Sequence, residues 1–512
     1  MSQPGGLDLA LSKIRPHTTS SLEHQKASAN LLHALEATLD ERKTERSPTA
    51  YFAALLTALG ATLQKDASSG LALGEGDILP AEIYLLGLIA PFVPPPVIRG
   101  NLDTIIFLTS PLFPLLVTHA PPLRSQIGLY SSVFRALDRS QLEAQGVRQS
   151  FASVLQLCLD ARPKVRKRAT EAIKDVLSSP PTPLIRHPYG DRVAEWVKST
   201  MTDVTANVLS RSKQSTSNME AAEVALHLLS FLRPVILKLP PTVSRNLCRF
   251  RFVTLLFQSL SEIVTLLLSL PRLGNPFLSQ SAYSILSDVL SAPTNCDDFD
   301  VVSEIPQILK AVLSSPPPKV DRAIAPAWLG LLGNALLTYK DADPQASAGE
   351  LGKVWKAVWA FLESSDATIR KACCQSLALL AQCLTPETIR PAMQEHGQSE
   401  PRSALGKIVF QAEKAFESLA FARSMSELLL AISALTSNLR YREMPAGPTA
   451  AEVLLLPLVQ KIGNIRTEKN FEHKEAADRV LSQAMGAMGP AALLNVLPLN
   501  LEPVDRSVHP QL

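Results

Sequence analysis

The segment with the clearest chemical potential is RPKVRKR at residues 162–168, where five of seven residues are basic. The basic residues are Arg162, Lys164, Arg166, Lys167 and Arg168, and Lys174 follows within two helical turns. Lysine and arginine near a helix start can bind backbone phosphates of RNA through their charge and the helix dipole. Two other interpretations stay open: a structural ladder of charges at a turn between helices, and a basic nuclear-localisation signal.

Two further segments have residues suited to the same chemistry. The loop PPTPLIRHPYGDR at 180–192 brings Arg186, with His187 and Tyr189, close behind the basic segment. Long loops on repeat proteins often make contacts. The segment SRNLCRFRF interleaves arginines with Phe250 and Phe252, a pattern that suits base stacking, although core packing of these rings is the favoured interpretation. Its arginines are Arg245, Arg249 and Arg251.

Catalytic and metal-binding signatures are absent from the sequence. It has no phosphate loop, no dinucleotide fingerprint, no HExxH and no GxSxG motif. None of the nine histidines lies at metal-ligand spacing from another histidine or a cysteine. Cys373 and Cys374 are adjacent, but one of them falls on a small core position of a helix, so packing is predicted rather than redox chemistry. We therefore predict a non-enzymatic protein without cofactor, metal or small-molecule substrate.

The composition predicts packed helices. Hydrophobic residues make up 46% and aromatic residues only 5%, so the core must consist mainly of Leu, Ala, Ile and Val. A chain of 512 residues also exceeds the size at which a single core stops growing. The 50 basic and 47 acidic residues leave a net charge of +3, so any nucleic-acid site must be local. Charges or prolines interrupt every long apolar run, which predicts no membrane contact.

From Ser21 onward, amphipathic helical patterns follow one another without a convincing strand. Examples are 164–178 and 367–384, and most prolines fall between such patterns. Residues 1–20 are rich in Ser, Thr, Gly and Pro, which predicts a flexible arm. The predicted organisation is then helical repeats over 21–215, containing the basic turn at 160–168, and further repeats over 216–512 that stop before a capping helix.

Two distant segments resemble each other. They are DARPKVRKRATEAIKDVL from Asp160 and DATIRKACCQSLALLAQCL from Asp366. The matched pairs are Val165 with Ile369, Arg166 with Arg370, Lys167 with Lys371, Ala169 with Cys373, Ile173 with Leu377, and Val176 with Leu380. Both segments resemble the second helix of a HEAT repeat, with an Asp predicted to satisfy free amide groups at the turn. The matched positions are 204 residues apart, about five repeats of ~41 residues, which predicts an all-α solenoid of stacked antiparallel helix pairs, of HEAT or armadillo type.

Three segments carry a resemblance to a particular family. TAYFAALLTAL at 49–59, LDARPKVRKRA at 159–169 and VLSQAMGAMGPAALLNVLPLNLE at 480–502 look like the eukaryotic ribosomal RNA-processing protein twelve family, a large HEAT-repeat family. The resemblance runs in order along nearly the whole chain, and its last element is the most specific. Members continue well past this region, so an N-terminal portion is expected.

The resemblance implies a scaffold that works in ribosome biogenesis. It implies binding to pre-rRNA and pre-ribosomal assembly factors, support of rRNA processing and subunit export, and links to the GTPase Ran and transport receptors. It also implies a nuclear, nucleolar and nucleoplasmic location with shuttling to the cytoplasm. The resemblance implies RNA contact by the five basic residues of 162–168. We add Lys174 and Arg186 as candidate RNA-binding residues because they lie near this segment in the sequence. The main alternative is an importin-like nuclear transport receptor that binds cargo and Ran, although such receptors are usually acidic. A generic protein-interaction scaffold is a further alternative.

Overall fold

The computed structural model describes residues 6–66, 73–74, 76–210, 215–239, 259–292, 304–397 and 401–498. Within these ranges all regular elements are helices, and the only β feature is an isolated bridge between Arg442 and Thr449. The predicted all-α class is therefore confirmed. The chain divides into two compact units, Met1–Pro240 and Pro241–Leu512.

The first unit has thirteen α-helices among its described residues. They are α1 Gly6–Ser12, α2 Glu23–Glu41, α3 Pro48–Asp66, α4 Ile78–Ile89, α5 Pro95–Gly100, α6 Leu102–Thr109, α7 Leu112–Leu116, α8 Ala120–Ala136, α9 Arg139–Leu142, α10 Gln145–Gln156, α11 Pro163–Leu177, α12 Gly190–Ser210 and α13 Ser215–Val235. Short 3-10 helices lie at Arg15–Thr19, Ala90–Phe92, Leu157–Leu159 and Ile236–Lys238.

The described part of the second unit has twelve α-helices. They are α14 Ser259–Ser269, α15 Pro276–Ser291, α16 Ile305–Leu313, α17 Ala325–Ala342, α18 Pro344–Trp359, α19 Ala367–Ala381, α20 Pro386–Gln394, α21 Ala404–Phe416, α22 Met425–Asn438, α23 Ala450–Arg466, α24 Lys474–Met488 and α25 Pro490–Val496. Short 3-10 helices lie at Leu270–Leu273, Ala360–Glu363 and Leu419–Ser424.

Each unit is a stack of helix pairs in two layers. In the first unit α2, α4, α8, α11 and α13 pack one against the next, and we call this row the B layer; α3, α6 and α10 form the row behind it. In the second unit α15, α17, α19, α22 and α24 form the corresponding B layer. A helix pair leaves apolar residues on both flanks, and only the neighbouring pair can cover them, which explains why the units grow by stacking.

The cores consist mainly of aliphatic side chains, with the few aromatic rings concentrated between repeats. In the first unit Phe113, Tyr130, Phe134, Phe151 and Tyr189 form a continuous row, with ring centroids 4.2 to 5.4 Å apart. These rings come from α7, α8, α10 and the loop before α12. Because edge and tilted ring contacts add to burial, the row joins three successive helix pairs.

One apolar segment in the described residues, Leu419–Asn438, has the length and composition of a membrane-crossing helix. Half of its apolar window is buried, and α22 within it packs against both α19 and α24. Burial against both neighbours in the B layer is what a core helix of a repeat stack requires.

Residues 6–19 are folded, so the predicted flexible arm over residues 1–20 is wrong for this part. Leu7, Leu11 and Ile14 are buried. Arg15 donates to Asp8 at 2.8 Å and to Glu36 of α2 at 3.0 Å. The spacing of the three apolar residues gives the segment one buried face, and the ion pairs hold that face on the first repeat.

The first unit ends at residue 240 of the sequence, whereas the predicted boundary follows residue 215. The difference comes from α13, which packs against α11 and α12 of the first unit. Its Leu228, Phe231 and Leu232 are buried there. The helix α13 therefore completes the last pair of the first unit.

The helices α4 and α8 of the first B layer approach each other closely at Gly87. A Cβ at Gly87 would come within 2.5 Å of the Ser125 carbonyl oxygen. We expect Gly87→Ala to push these helices apart and to lower the free energy of unfolding by about 1–3 kcal/mol. Thermal denaturation followed by circular dichroism measures the change. Gly349→Ala is the control, since it meets no atom within 4 Å in α18 and should be neutral or stabilising; equal losses in both variants would contradict the close packing.

Candidate functional site

The two segments matched in the sequence adopt the same local structure. Both α11 and α19 follow a short 3-10 helix, and their N-caps, Arg162 and Asp366, are 204 residues apart like the matched pairs. Arg166 donates through Nη1 to the carbonyl oxygens of residues 160 and 161, at 2.6 and 3.1 Å. Arg370 does the same with residues 364 and 365, at 3.0 and 3.1 Å. The predicted register is confirmed, and this arginine fastens the turn of its own repeat.

Both turn aspartates accept from a backbone N–H of their turn, as predicted, but they occupy different positions relative to the helix. Asp366 is the N-cap of α19 and accepts from the backbone N–H of Thr368 at 2.8 Å. Asp160 lies two residues before the N-cap of α11 and accepts from the backbone N–H of Arg162 at 2.9 Å and from its guanidinium at 2.8 and 2.7 Å. These hydrogen bonds from Arg162 hold the pKa of Asp160 below its usual value. Arg162 occupies the cap position, but an arginine side chain has no acceptor and cannot cap the helix itself.

Ion pairs between successive turns, as in the predicted charge ladder, occur in the second unit. Lys319 Nζ lies 2.6 Å from Glu363 Oε2 of the next turn. Arg370 Nε lies 3.5 Å from Glu427 Oε1 at the start of α22. These two turns are therefore joined to neighbouring repeats by ion pairs.

The basic turn of the first unit differs because most of its cations point to solvent. Lys164, Lys167, Arg168 and Lys174 are exposed on one side of α11, opposite its buried side. Within the described residues these four side chains have no hydrogen bond or ion pair. Arg162 and Arg166, by contrast, are half-buried and bound within the turn. The predicted group thus separates into two turn-fastening arginines and four solvent-facing cations, which we call the α11 cations.

The α11 cations are not required by the repeat structure. At the same register in α19, Lys164 is replaced by Thr368, Arg168 by Ala372, and Lys174 by Ala378. Lys167 alone keeps its basic counterpart, Lys371. Since α19 folds into the same turn and stack without these three charges, their presence in α11 needs an explanation other than folding.

A groove of about 1100 Å³ runs across α2, α4, α8 and α11 of the first unit, and residues of α1 and of the 3-10 helix after it also line the groove. Its charged lining consists of Lys13, Arg124, Lys164, Lys167, Arg168 and the single carboxylate Glu171. Five cations against one anion give the groove a positive potential, which suits a negatively charged ligand. Three of the α11 cations therefore belong to the groove, and Lys174 extends their row beyond it.

Two groove residues, Lys13 and Arg124, were not found by sequence reasoning. Lys13 lies in the segment predicted to be a flexible arm, and Arg124 lies on α8, 40 residues before Lys164. That distance is about one repeat, which is the only signal in the sequence that places Arg124 beside the basic segment. A Cβ at Gly128 would come within 2.6 Å of Arg168 Nη2, so Gly128 makes room for this guanidinium against α8.

The loop at 180–192 is anchored rather than extended. Tyr189 donates its hydroxyl to the Leu142 carbonyl at 2.5 Å, and its N–H donates to His187 Nδ1 at 3.2 Å. His187 is buried, and this burial lowers its pKa to about 4. Arg186 is exposed in the loop but does not line the groove. His187 and Tyr189 therefore serve packing, and Arg186 is not brought together with the α11 cations in the groove.

The other candidates from the sequence are resolved in part. The group of Arg245, Arg249 and Arg251 lies outside the described residues. Cys373 is buried and lies 3.1 Å from the Val358 carbonyl oxygen, and burial raises the pKa of its thiol, so its predicted packing role is confirmed. Across the described ranges, no three His, Cys, Asp or Glu side chains are grouped as metal ligands would be.

Comparison with known families adds to this geometry. The family described as "RRP12-like, N-terminal HEAT repeats" matches residues 5–296, more than half of the chain. The chain belongs to this family. A second family, "Ribosomal RNA-processing protein 12, HEAT repeats", matches residues 363–511. The first match contains the groove and all the α11 cations, and the second contains α19, so the resemblance read from the sequence is confirmed.

Relatives of the RRP12-like chain are similar along nearly its whole length. Ribosomal RNA-processing protein 12 of Saccharomyces cerevisiae is 21% identical over 97% of this chain and 40% of its own length. The putative ribosomal RNA-processing protein 12 of Schizosaccharomyces pombe is 24% identical over 98% of this chain and 39% of its own length. The chain thus spans about two fifths of these relatives. A solved structure of Kap121p shares the fold, with a TM-score of 0.50, 14% identity, and coverage of 99% of this chain and 49% of that one.

The division between turn-fastening arginines and α11 cations can be tested with single variants. Arg166→Ala removes two hydrogen bonds to backbone carbonyls, so we expect it to lower the free energy of unfolding by about 1–2 kcal/mol while RNA affinity changes less than about threefold. Lys167→Ala should leave stability within about 0.5 kcal/mol and weaken RNA binding. Urea denaturation and filter binding measure the two effects. The reverse pattern would show that the division is wrong.

Proposed function

We propose that this RRP12-like chain acts in ribosome biogenesis as a non-catalytic scaffold that holds pre-rRNA. The α11 cations and the groove beside them contact the phosphates, and the stacked repeats of both units offer further surface to assembly factors. The proposal depends on the α11 cations, three of which are replaced by neutral residues in the equivalent helix α19 of the second unit. Contact with RNA phosphates explains these cations, because binding phosphates requires exposed positive charge, which folding of the turn does not require.

The names of the matched families and relatives support rRNA processing as the setting for this contact. We further propose nuclear and nucleolar residence, association with pre-ribosomal particles, and support of subunit export with help from Ran and transport receptors. Similarity to Kap121p concerns the fold alone. The positive charge of the groove favours an RNA-binding scaffold over the alternative of an importin-like receptor, because such receptors are usually acidic.

Salt dependence tests the RNA proposal. Filter binding of the full chain to a structured rRNA fragment should weaken steeply as salt rises, because each phosphate contact releases condensed counterions. With about five cations engaged, log K should fall by roughly 3–5 per unit of log salt concentration. Binding that ignores salt, or no binding at about 50 mM salt, would exclude phosphate contact by this chain.

A further inference from the structure

The groove of the first unit contains aromatic and imidazole rings as well as cations. Tyr84 of α4 lines the groove and is 40% exposed. His17, His24 and His119 also line it, and Thr118 Oγ1 lies 2.9 Å from Nδ1 of His119. A site that contacted only phosphates would need no flat, partly exposed rings. Rings interleaved with cations are the combination that binds nucleobases and the backbone of one strand together.

The arrangement of cations supports the same conclusion. Lys164, Lys167 and Arg168 lie on α11, Arg124 lies on α8, and Lys13 precedes the first repeat. Tyr84 stands on α4, so it lies between cations contributed by elements on both of its sides. A strand following this path would place phosphates against the cations and turn its bases toward the rings. The bases of an RNA duplex are paired and stacked inside the helix, and they cannot reach such rings.

Arg168 stands close to α8. Its guanidinium lies against the backbone of Gly128, in space that a larger residue would occupy. This places on the groove wall a planar guanidinium whose face can stack on bases and whose N–H groups can donate to phosphates. The groove volume of about 1100 Å³ is at the upper end of small-molecule sites, and the groove extends across four helices, which suits a polymer segment.

We infer that this groove binds a short single-stranded segment of RNA, with its phosphates on the five cations and at least one base stacked on Tyr84. The inference rests on the proposed RNA function and adds the class of RNA and the stacking residue. It predicts that single-stranded or locally unpaired RNA is the ligand, and that a paired helix of the same sequence is not.

The experiment is a fluorescence-anisotropy titration of the full chain with a labelled 12-nucleotide RNA lacking self-complementarity, and with the same strand in a duplex. The single strand should bind at least about tenfold more tightly than the duplex. Tyr84→Leu removes the ring and should weaken single-strand binding at least about fivefold, whereas Tyr84→Phe keeps the ring and should bind like the unchanged protein. Phe107→Leu is the matched control, because Phe107 is 79% exposed on α6 and does not line the groove.

The outcomes separate the inference from the proposed function. Equal binding of single strand and duplex, with no effect of Tyr84→Leu, would overturn the inference and leave phosphate contact intact. Absence of binding to either RNA would overturn both. A polyglutamate peptide of equal charge serves as a third ligand: if it binds more tightly than the single strand, the groove belongs to an acidic protein segment, and both claims fall.

Discussion

Replacing Lys164, Lys167, Arg168 and Lys174 together by alanine is expected to weaken RNA binding by about 100-fold at roughly 50 mM salt. The magnitude of the salt slope should fall by about 3, because each lost phosphate contact on a single strand removes roughly 0.7 from it. Helical circular dichroism and the thermal midpoint should stay unchanged, since α19 folds with neutral residues at three of the four matched positions. Filter binding over a series of salt concentrations measures both quantities.

The control for this variant removes the same charge from the second unit. Lys310, Lys356, Lys371 and Lys407 are exposed there, and replacing all four by alanine tests whether loss of charge anywhere is sufficient. We expect this control to weaken binding less than about fivefold, through the screened long-range field alone. If both quadruple variants lose affinity equally, RNA contact is spread over the chain and the groove has no special role.

Trp328→Ala is expected to cause the largest loss of stability in the second unit, about 3–5 kcal/mol. The Trp328 side chain is fully buried, its Nε1 donates to the Val312 carbonyl at 3.0 Å, and its ring lies 5.3 Å from that of Phe361. It therefore connects α16, α17 and the turn before α19. Hydrogen exchange followed by mass spectrometry should show exchange about 100-fold faster or more in peptides of α16 to α19.

Two variants control the tryptophan result. Trp328→Phe keeps a ring for Phe361 but removes the indole N–H from the Val312 carbonyl, which retains the Ser315 N–H at 3.3 Å, so an intermediate loss is expected. Phe277→Ala changes an aromatic residue that is 59% exposed on α15 and should alter stability by less than about 0.5 kcal/mol. Equally faster exchange in the first unit would contradict a loss of stability confined to the repeats next to Trp328.

Long helices and repeat register were predictable because the information for them is local and repeated. The patterns at 164–178 and 367–384 correspond to Pro163–Leu177 and Ala367–Ala381. The matched Val165 and Ile369 are both buried. The sequence patterns do not reveal the short helices that begin with proline, namely α5, α20 and α25. Proline in a sequence usually indicates a break between helices. At the first helical position, however, the backbone N–H that proline lacks has no partner within the helix, so proline is tolerated there.

The basic segment could be found from the sequence, but its division into two roles could not. Arg166 and Lys167 are adjacent and chemically similar, and only the structure shows that one binds turn carbonyls while the other faces solvent. Likewise, Lys13, Tyr84 and Arg124 come from separate parts of the first unit and have no local motif. These residues come close to α11 only through the tertiary packing of α2, α4, α8 and α11. Sequence reasoning therefore located one wall of the groove and left the others unknown.

The most direct test of the account is ultraviolet crosslinking of the full chain to single-stranded RNA, with the crosslinked peptides identified by mass spectrometry. We predict crosslinks in the peptide containing Tyr84 and in peptides spanning 164–174 of α11, and we predict that the quadruple alanine variant loses both. Crosslinks confined to the second unit, or crosslinks that persist in the quadruple variant, would contradict an RNA site in this groove.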